Sequence, residues 1–305
     1  MSLEASILNK SLKSEIPLHL MILPGFIIIF IYSYVPMVGI VMAFQNYIPV
    51  KGILGSDWVG LDNFKYIISL PDTLQVLWNT VYIAILKIIM GLIAPICTAL
   101  LLNEVRKQLF KRAIQTVVYL PHFLSWVILG GILIDLLSPS QGLVNQFLMF
   151  LGFEPVFFLG DNKWFPYTLM ISDTWKEFGF SMIIYLAAIS GINPSLYEAA
   201  VIDGANHWRR AWHITLPGMR PIIVLLVTLS LGSVLNAGFE QVFILYSPQV
   251  YESGDIIDTM VYRIGLINSQ YSIATAVGLF KSVVSLILVG TSYWLAYRLA
   301  NYRIF

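Results

Sequence analysis

Long uncharged apolar runs alternate with short polar segments along this chain. From Ile16 to Val50 there is no Asp, Glu, Lys or Arg over 35 residues, whereas about 20 apolar residues suffice to cross the hydrocarbon core of a bilayer. Further runs of this kind place six predicted spans near 20–44, 78–102, 113–137, 166–192, 221–245 and 273–297. Each is about 25 residues, long enough to cross with some tilt. The runs do not alternate apolar and polar residues as barrel strands do. Helices are therefore expected, because in lipid every backbone N–H and C=O must be satisfied within the segment. The predicted fold class is an all-α integral membrane protein with six transmembrane helices.

Composition narrows the class further. Of the 305 residues 58% are hydrophobic and only 11% charged, against about 25% charged in a soluble domain. Mean hydropathy is +0.78. Disorder, nucleic-acid binding and an ordinary cytosolic enzyme are excluded on these grounds, and a net charge of +1 suggests no polyanionic partner. The single cysteine, Cys97, excludes an internal disulfide framework and a Cys-rich metal site. The first 15 residues are mixed in charge and the apolar run after them is too long for a signal peptide, so the first span is expected to be retained.

Basic residues set the expected orientation. With the N-terminus inside, eleven Lys and Arg fall in inner segments: Lys10, Lys13, Arg106, Lys107, Lys111, Arg112, Arg209, Arg210, Arg220, Arg298 and Arg303. Four fall outside (Lys51, Lys65, Lys163, Arg263), and Lys87, Lys176 and Lys281 lie within spans. This bias predicts cytoplasmic termini, with residues 1–19 as a cytoplasmic N-terminal segment. The outer segments 45–77 and 138–165, with Trp58, Trp164 and several Phe and Tyr, read as interfacial amphipathic pieces.

The inner segment 193–218 is the most informative. Asn193 suits a helix N-cap and Pro194 the first helical position, and Gly204 suits the stop. A second short helix over about 205–215 is expected before Pro217. The result is a helix-turn-helix elbow with Ala199, Ala200 and Ile202 beside the carboxylates Glu198 and Asp203, and with Trp208 and Trp212 on one side of the second helix. Such a knob suits docking in a protein groove. The same residues also suit a plain loop carrying two interfacial tryptophans.

The order Glu198-Ala199-Ala200, Gly204, Ile214, Leu216, Pro217 resembles the signature loop of permease subunits of binding-protein-dependent ABC importers. Leu23-Pro24-Gly25, Tyr34-Val35-Pro36, Ala43-Phe44-Gln45 and Trp58-Val59-Gly60-Leu61-Asp62-Asn63-Phe64 are similar to the maltose-type carbohydrate permeases, and most to those importing oligo- and polysaccharide fragments such as alginate or pectin oligosaccharides. The resemblance implies a type I ABC importer permease fold over 20–305, in a prokaryotic plasma membrane. It implies a sister permease, two ATPase subunits that carry ATP and Mg, an extracytoplasmic solute-binding protein and an oligosaccharide substrate. It makes 193–218 the coupling loop, with Glu198 and Gly204 at the ATPase contact. Ala199 and Ala200 complete the motif, and Asp203, Trp208 and Arg209 join it by their position on the knob.

Chemistry of its own is not expected. Gly278-Leu279-Phe280-Lys281-Ser282 ends like a nucleotide-binding loop but lacks the first glycine and the Gly-Lys pair. The four histidines are poorly spaced for a metal, so no cofactor is expected in this chain. Intramembrane polar residues point instead to a solute path. Asp173, Lys176, Glu177 and Phe180 fall within an arc of about 100° on a helix, and Ser230, Ser233, Asn236 and Glu240 within about 120°. Carboxylates accept from sugar hydroxyls, and an aromatic face suits sugar C–H groups. Asp173 and Lys176 are spaced to pair at i,i+3, Lys87 and Lys281 are candidates to pair with Asp135 or Glu240 or to face a sister subunit, and for a uronate substrate Lys176 is the favoured carboxylate partner. The alternative is structural: an internal Lys176–Glu177 pair, with serines packing between helices. A self-contained, ion-coupled secondary sugar transporter is the alternative function, against which six spans without an internal repeat weigh.

Overall fold

Apolar runs with few breakers become long helices, and the breakers set where those helices bend. The computed structural model describes residues 17–105 and 107–300. Lys10, Lys13, Arg106 and Arg303, four of the basic residues behind the expected orientation, lie outside the described residues, as does most of segment 1–19. Helix α1 is Pro17–Phe44, followed by a two-residue antiparallel ribbon in which β1 (Gln45–Asn46) pairs with β2 (Asp57–Trp58). Next come α2 (Asp62–Ser69), α3 (Thr73–Asn103), α4 (Gln108–Tyr119), α5 (Trp126–Leu137), α6 (Leu143–Phe150) and α7 (Phe165–Ser190). The elbow holds α8 (Pro194–Ile202) and α9 (His207–Gly218). The chain then continues through α10 (Arg220–Gly232), α11 (Phe239–Leu245), α12 (Ile257–Tyr262) and α13 (Tyr271–Ala300).

By length and composition α1, α3 and α13 are each able to cross a membrane, and three bent helix pairs bring the total to as many as six. Two of the six apolar runs are not single helices. The run near 113–137 is bent by 103° between α4 and α5, where Pro121, without an amide hydrogen, lies in the short 3-10 turn Leu120–Phe123. Ser125 then caps α5 by accepting from the Ile128 amide. The run near 221–245 stops at Gly232 and resumes only after Gly238, whose φ of +90° no helix tolerates.

One end of the bundle gathers the connections after α1, α5 and α11. There Tyr47 N donates to Ser272 Oγ at 2.8 Å, and Asn79 Nδ2 to the carbonyls of Glu252 at 3.0 Å and Asp255 at 3.2 Å. Asn145, fully buried, donates to the carbonyls of Leu137, Ser138 and Val156 and accepts from the Val156 amide at 2.7 Å, which closes the loop around α6. The core beneath contains Ile83, Leu129, Phe165, Leu169, Val242 and Ile256. A second core of Ala99, Leu102, Met182, Tyr185, Ile189 and Met219 lies at the elbow end.

Candidate functional site

The elbow is set by local chemistry. Asn193 Oδ1 accepts from the Ser195 amide at 3.0 Å and Pro194 opens α8. The helix closes with Ala205 N on Ala200 O at 2.8 Å and Gly204 N on Val201 O at 3.1 Å, the paired pattern of a left-handed glycine stop. Gly204 has φ +74°, and a Cβ there would touch nothing within 4 Å, so the glycine is required by backbone conformation and not by crowding. Asn206, which the sequence reading did not single out, caps α9 by accepting from the Arg209 amide at 2.9 Å. Tyr197 and Thr215 join hydroxyls at 3.0 Å and tie the two short helices together.

Glu198, Ala199, Asp203, Gly204, Trp208 and Arg209 are exposed on this elbow, and Ala200 is half-buried. Ile202 is 86% exposed, Trp208 78% and Trp212 69%. Large apolar side chains grouped on a rigid knob mark a contact surface. The knob is braced against the bundle where the carboxylate of Glu104, at the end of α3, meets the His207 ring, which Arg210 Nη2 also approaches at 2.8 Å.

Within the bundle the structure brings together Asp173, Ser230, Ser233 and Asn236, with Lys87, around a cleft of about 240 Å³. The expected Asp173–Lys176 pair is not formed. Asp173 faces Lys87 across the α3–α7 contact at 3.5 Å, while Lys176 turns away. Lys87 also donates to the Ala237 carbonyl at 2.6 Å and to the Gln241 side chain. Gln241, fully buried, spends both amide hydrogens on α7, at Leu169 O and Ser172 Oγ, each at 2.8 Å. Ser230 through Glu240 do not share one helical face, because the chain is broken between α10 and α11; Ser230, Ser233 and Asn236 still share the cleft, but exposed Glu240 does not line it.

Lys176, Glu177 and Phe180 form a second cluster around His122. Lys176 is buried and donates to the His122 carbonyl at 2.8 Å and to Glu177 at 3.1 Å. Glu177 Oε2 lies 2.7 Å from His122 Nδ1, and the imidazole stacks on Phe180 with 4.0 Å between centroids and 2° between planes. His122 was weighed from the sequence only as a metal ligand and not as a neighbour of Glu177 and Phe180, although Pro121 beside it inside an apolar run signals a break. Lys281 pairs with Asp258 at 2.5 Å, and Lys87 with Asp173, so neither meets Asp135 or Glu240. Among the described residues no group of three or more His, Cys, Asp or Glu is placed to hold a metal.

Residues 87–301 match the family described as binding-protein-dependent transport system inner membrane component. The polygalacturonan/rhamnogalacturonan transport system permease protein YteP of Bacillus subtilis (strain 168) is 47% identical over 284 residues, 93% of this chain and 87% of that protein. Protein LplB of the same organism is 43% identical over 93% of this chain and 89% of its own length. Among solved structures, a chain from a bacterial ABC transporter involved in the import of the acidic polysaccharide alginate superposes with TM-score 0.88 at 40% identity, covering 96% of this chain and 99% of its own. A second, from the alginate ABC transporter in complex with its alginate pentasaccharide-bound periplasmic protein, gives TM-score 0.86 at 41% identity over 95% of this chain and 96% of its own. The match to the family, together with the exposed glycine-stopped elbow and the polar cleft in an apolar bundle, places this chain among the inner-membrane permease components of binding-protein-dependent ABC transport systems, a transport subunit and not an enzyme.

Proposed function

We propose that this chain is one permease of an ABC importer that carries an acidic oligosaccharide, a short uronate polymer, across a prokaryotic plasma membrane. The chain crosses six times with both termini in the cytoplasm. A sister permease completes the pathway, two ATPase subunits bind the elbow side, and an extracytoplasmic binding protein delivers solute at the opposite end. The observation that carries this reading is the elbow itself, a capped, braced knob with Trp208 and Ile202 bare on its surface. A relative at 47% identity whose name refers to polygalacturonan, and solved structures at 40–41% identity whose names refer to alginate, support the acidic substrate class.

The chemistry of the path fits such a solute. Sugar hydroxyls need both donors and acceptors, and Asp173, Ser230, Ser233 and Asn236 supply both around one cleft. The stacked His122–Phe180 pair offers a flat wall, with Phe180 44% exposed. The lysines near the path are matched with carboxylates, Lys87 with Asp173 and Lys176 with Glu177. A uronate therefore meets a path that holds it weakly, as passage requires. ATP binding favours the state in which the ATPase dimer is closed, and the elbow passes that preference to the helices. The shift is limited to the difference in ATPase affinity for the two states.

The test is reconstitution of the permease with its sister, the ATPase subunits and the binding protein in liposomes. Glu198→Lys is expected to lose ATPase association and uptake together while the permease still purifies folded. Uptake that survives full loss of the ATPase refutes the reading.

A further inference from the structure

The break between α10 and α11 is held by a side chain from a distant helix. In an unbroken helix the Ala237 carbonyl would accept from the amide four residues on. Here Gly238 has φ +90° and the ladder is interrupted. A buried carbonyl left bare in a membrane is costly, and Lys87 of α3 fills the gap, with Nζ 2.6 Å from Ala237 O and a further bond to the Gln241 side chain. The Lys87 side chain is 9% exposed, so it is built into the bundle. Space at the break is tight, since a Cβ on Gly238 would sit 2.9 Å from Nζ. Asp173 of α7 stands 3.5 Å from the same ammonium, on the rim of the cleft that Ser230, Ser233 and Asn236 line.

We infer that Lys87 is the pin of a hinge at Ala237–Gly238, fixing the angle between α10 and α11 and thereby turning Ser230, Ser233 and Asn236 toward Asp173. Lys87 is a positioning residue for solute passage, and the inference rests on the transport reading above. An ammonium has three donors, and its partners here are a carbonyl and an amide oxygen on the hinge and a carboxylate on α7. A small shift of α7 against α11 changes how closely Asp173 approaches the ammonium while the Ala237 carbonyl keeps its donor.

The test uses the reconstituted assembly with Cys97→Ser and spin labels at Leu229→Cys and Phe243→Cys, exposed sites on the two sides of the break. With Lys87 present, one narrow distance distribution is expected in the nucleotide-free state. Lys87→Met should broaden it at least twofold, and Lys87→Arg should restore most of the narrow width. In parallel, uptake of alginate pentasaccharide per ATP hydrolysed should fall about tenfold in Lys87→Met, with KM changed less than twofold. Lys87→Ala, which removes the donor without straining the positive-φ backbone at Gly238, should broaden the distance in the same way, and serves if Lys87→Met does not assemble. An unchanged distribution in either variant overturns the pin. Absence of ATP-driven uptake in the unmodified assembly would instead refute the transport reading, while the distance measurement still decides the hinge.

Discussion

Replacing Gly204 separates a backbone requirement from an interface requirement. Its φ is +74°, and no atom lies within 4 Å of where a Cβ would stand. Gly204→Ala therefore introduces no clash inside the chain and costs only the left-handed conformation, about 1–2 kcal/mol. That energy shifts the balance between the formed and the unwound stop of α8 by about 5–30-fold. If the ATPase binds only the formed elbow, its apparent affinity falls by up to the same factor. Asn tolerates this region far better than Ala, so Gly204→Asn should recover most of the binding. The assay is titration of ATPase subunits onto the purified permease pair in nanodiscs. Equal loss of binding in the Ala and Asn variants would show that the partner packs against the bare glycine, and wild-type affinity in Gly204→Ala would show that the stop does not matter. Either result refutes the argument.

Further outcomes follow from the buried polar contacts. Asn145→Ala strands the Val156 amide and three carbonyls, a loss of about 3 kcal/mol. The thermal midpoint in detergent should drop by about 5 °C, and Asn145→Asp, which cannot donate, should not rescue it. Asp255 is 3% exposed and binds Arg263 at 2.5 and 3.1 Å. Asp255→Ala removes the carboxylate from that guanidinium, which keeps partial solvent exposure and the Tyr251 ring, and should cost about 2–3 kcal/mol, read as lost expression or a lowered midpoint, whereas an unchanged midpoint would contradict the account. Lys176→Ala removes the donor to the His122 carbonyl and to Glu177. Uptake of alginate pentasaccharide should fall several-fold, and unchanged acidic-sugar uptake would remove Lys176 from the path.

What was legible in the sequence was local. Asn193, Pro194 and Gly204 act within a few residues of themselves, so the start and stop of α8 could be read directly. The α7 face was partly legible, because helical spacing does place Asp173, Lys176, Glu177 and Phe180 along one side. Their partners were not, since Lys87, 86 positions before Asp173, and His122 arrive through the packing of α3 and of the α4–α5 bend against α7. The run near 221–245 misled for a different reason. Its composition is that of a continuous helix, and at the break by Gly238 the freed Ala237 carbonyl is met by Lys87 from another element. Pro121 and the Asn236-Ala237-Gly238 step were the local signals available for the two interruptions.

The central claim is that a glycine-stopped elbow couples this bundle to a separate ATPase. It is tested most directly by uptake of alginate pentasaccharide into liposomes holding the permease pair, with the ATPase subunits, the binding protein and ATP each omitted in turn. The expected result is uptake only when all are present, and its loss in Glu198→Lys. Uptake by the permease pair alone, driven by an ion gradient and indifferent to Glu198, would contradict the account.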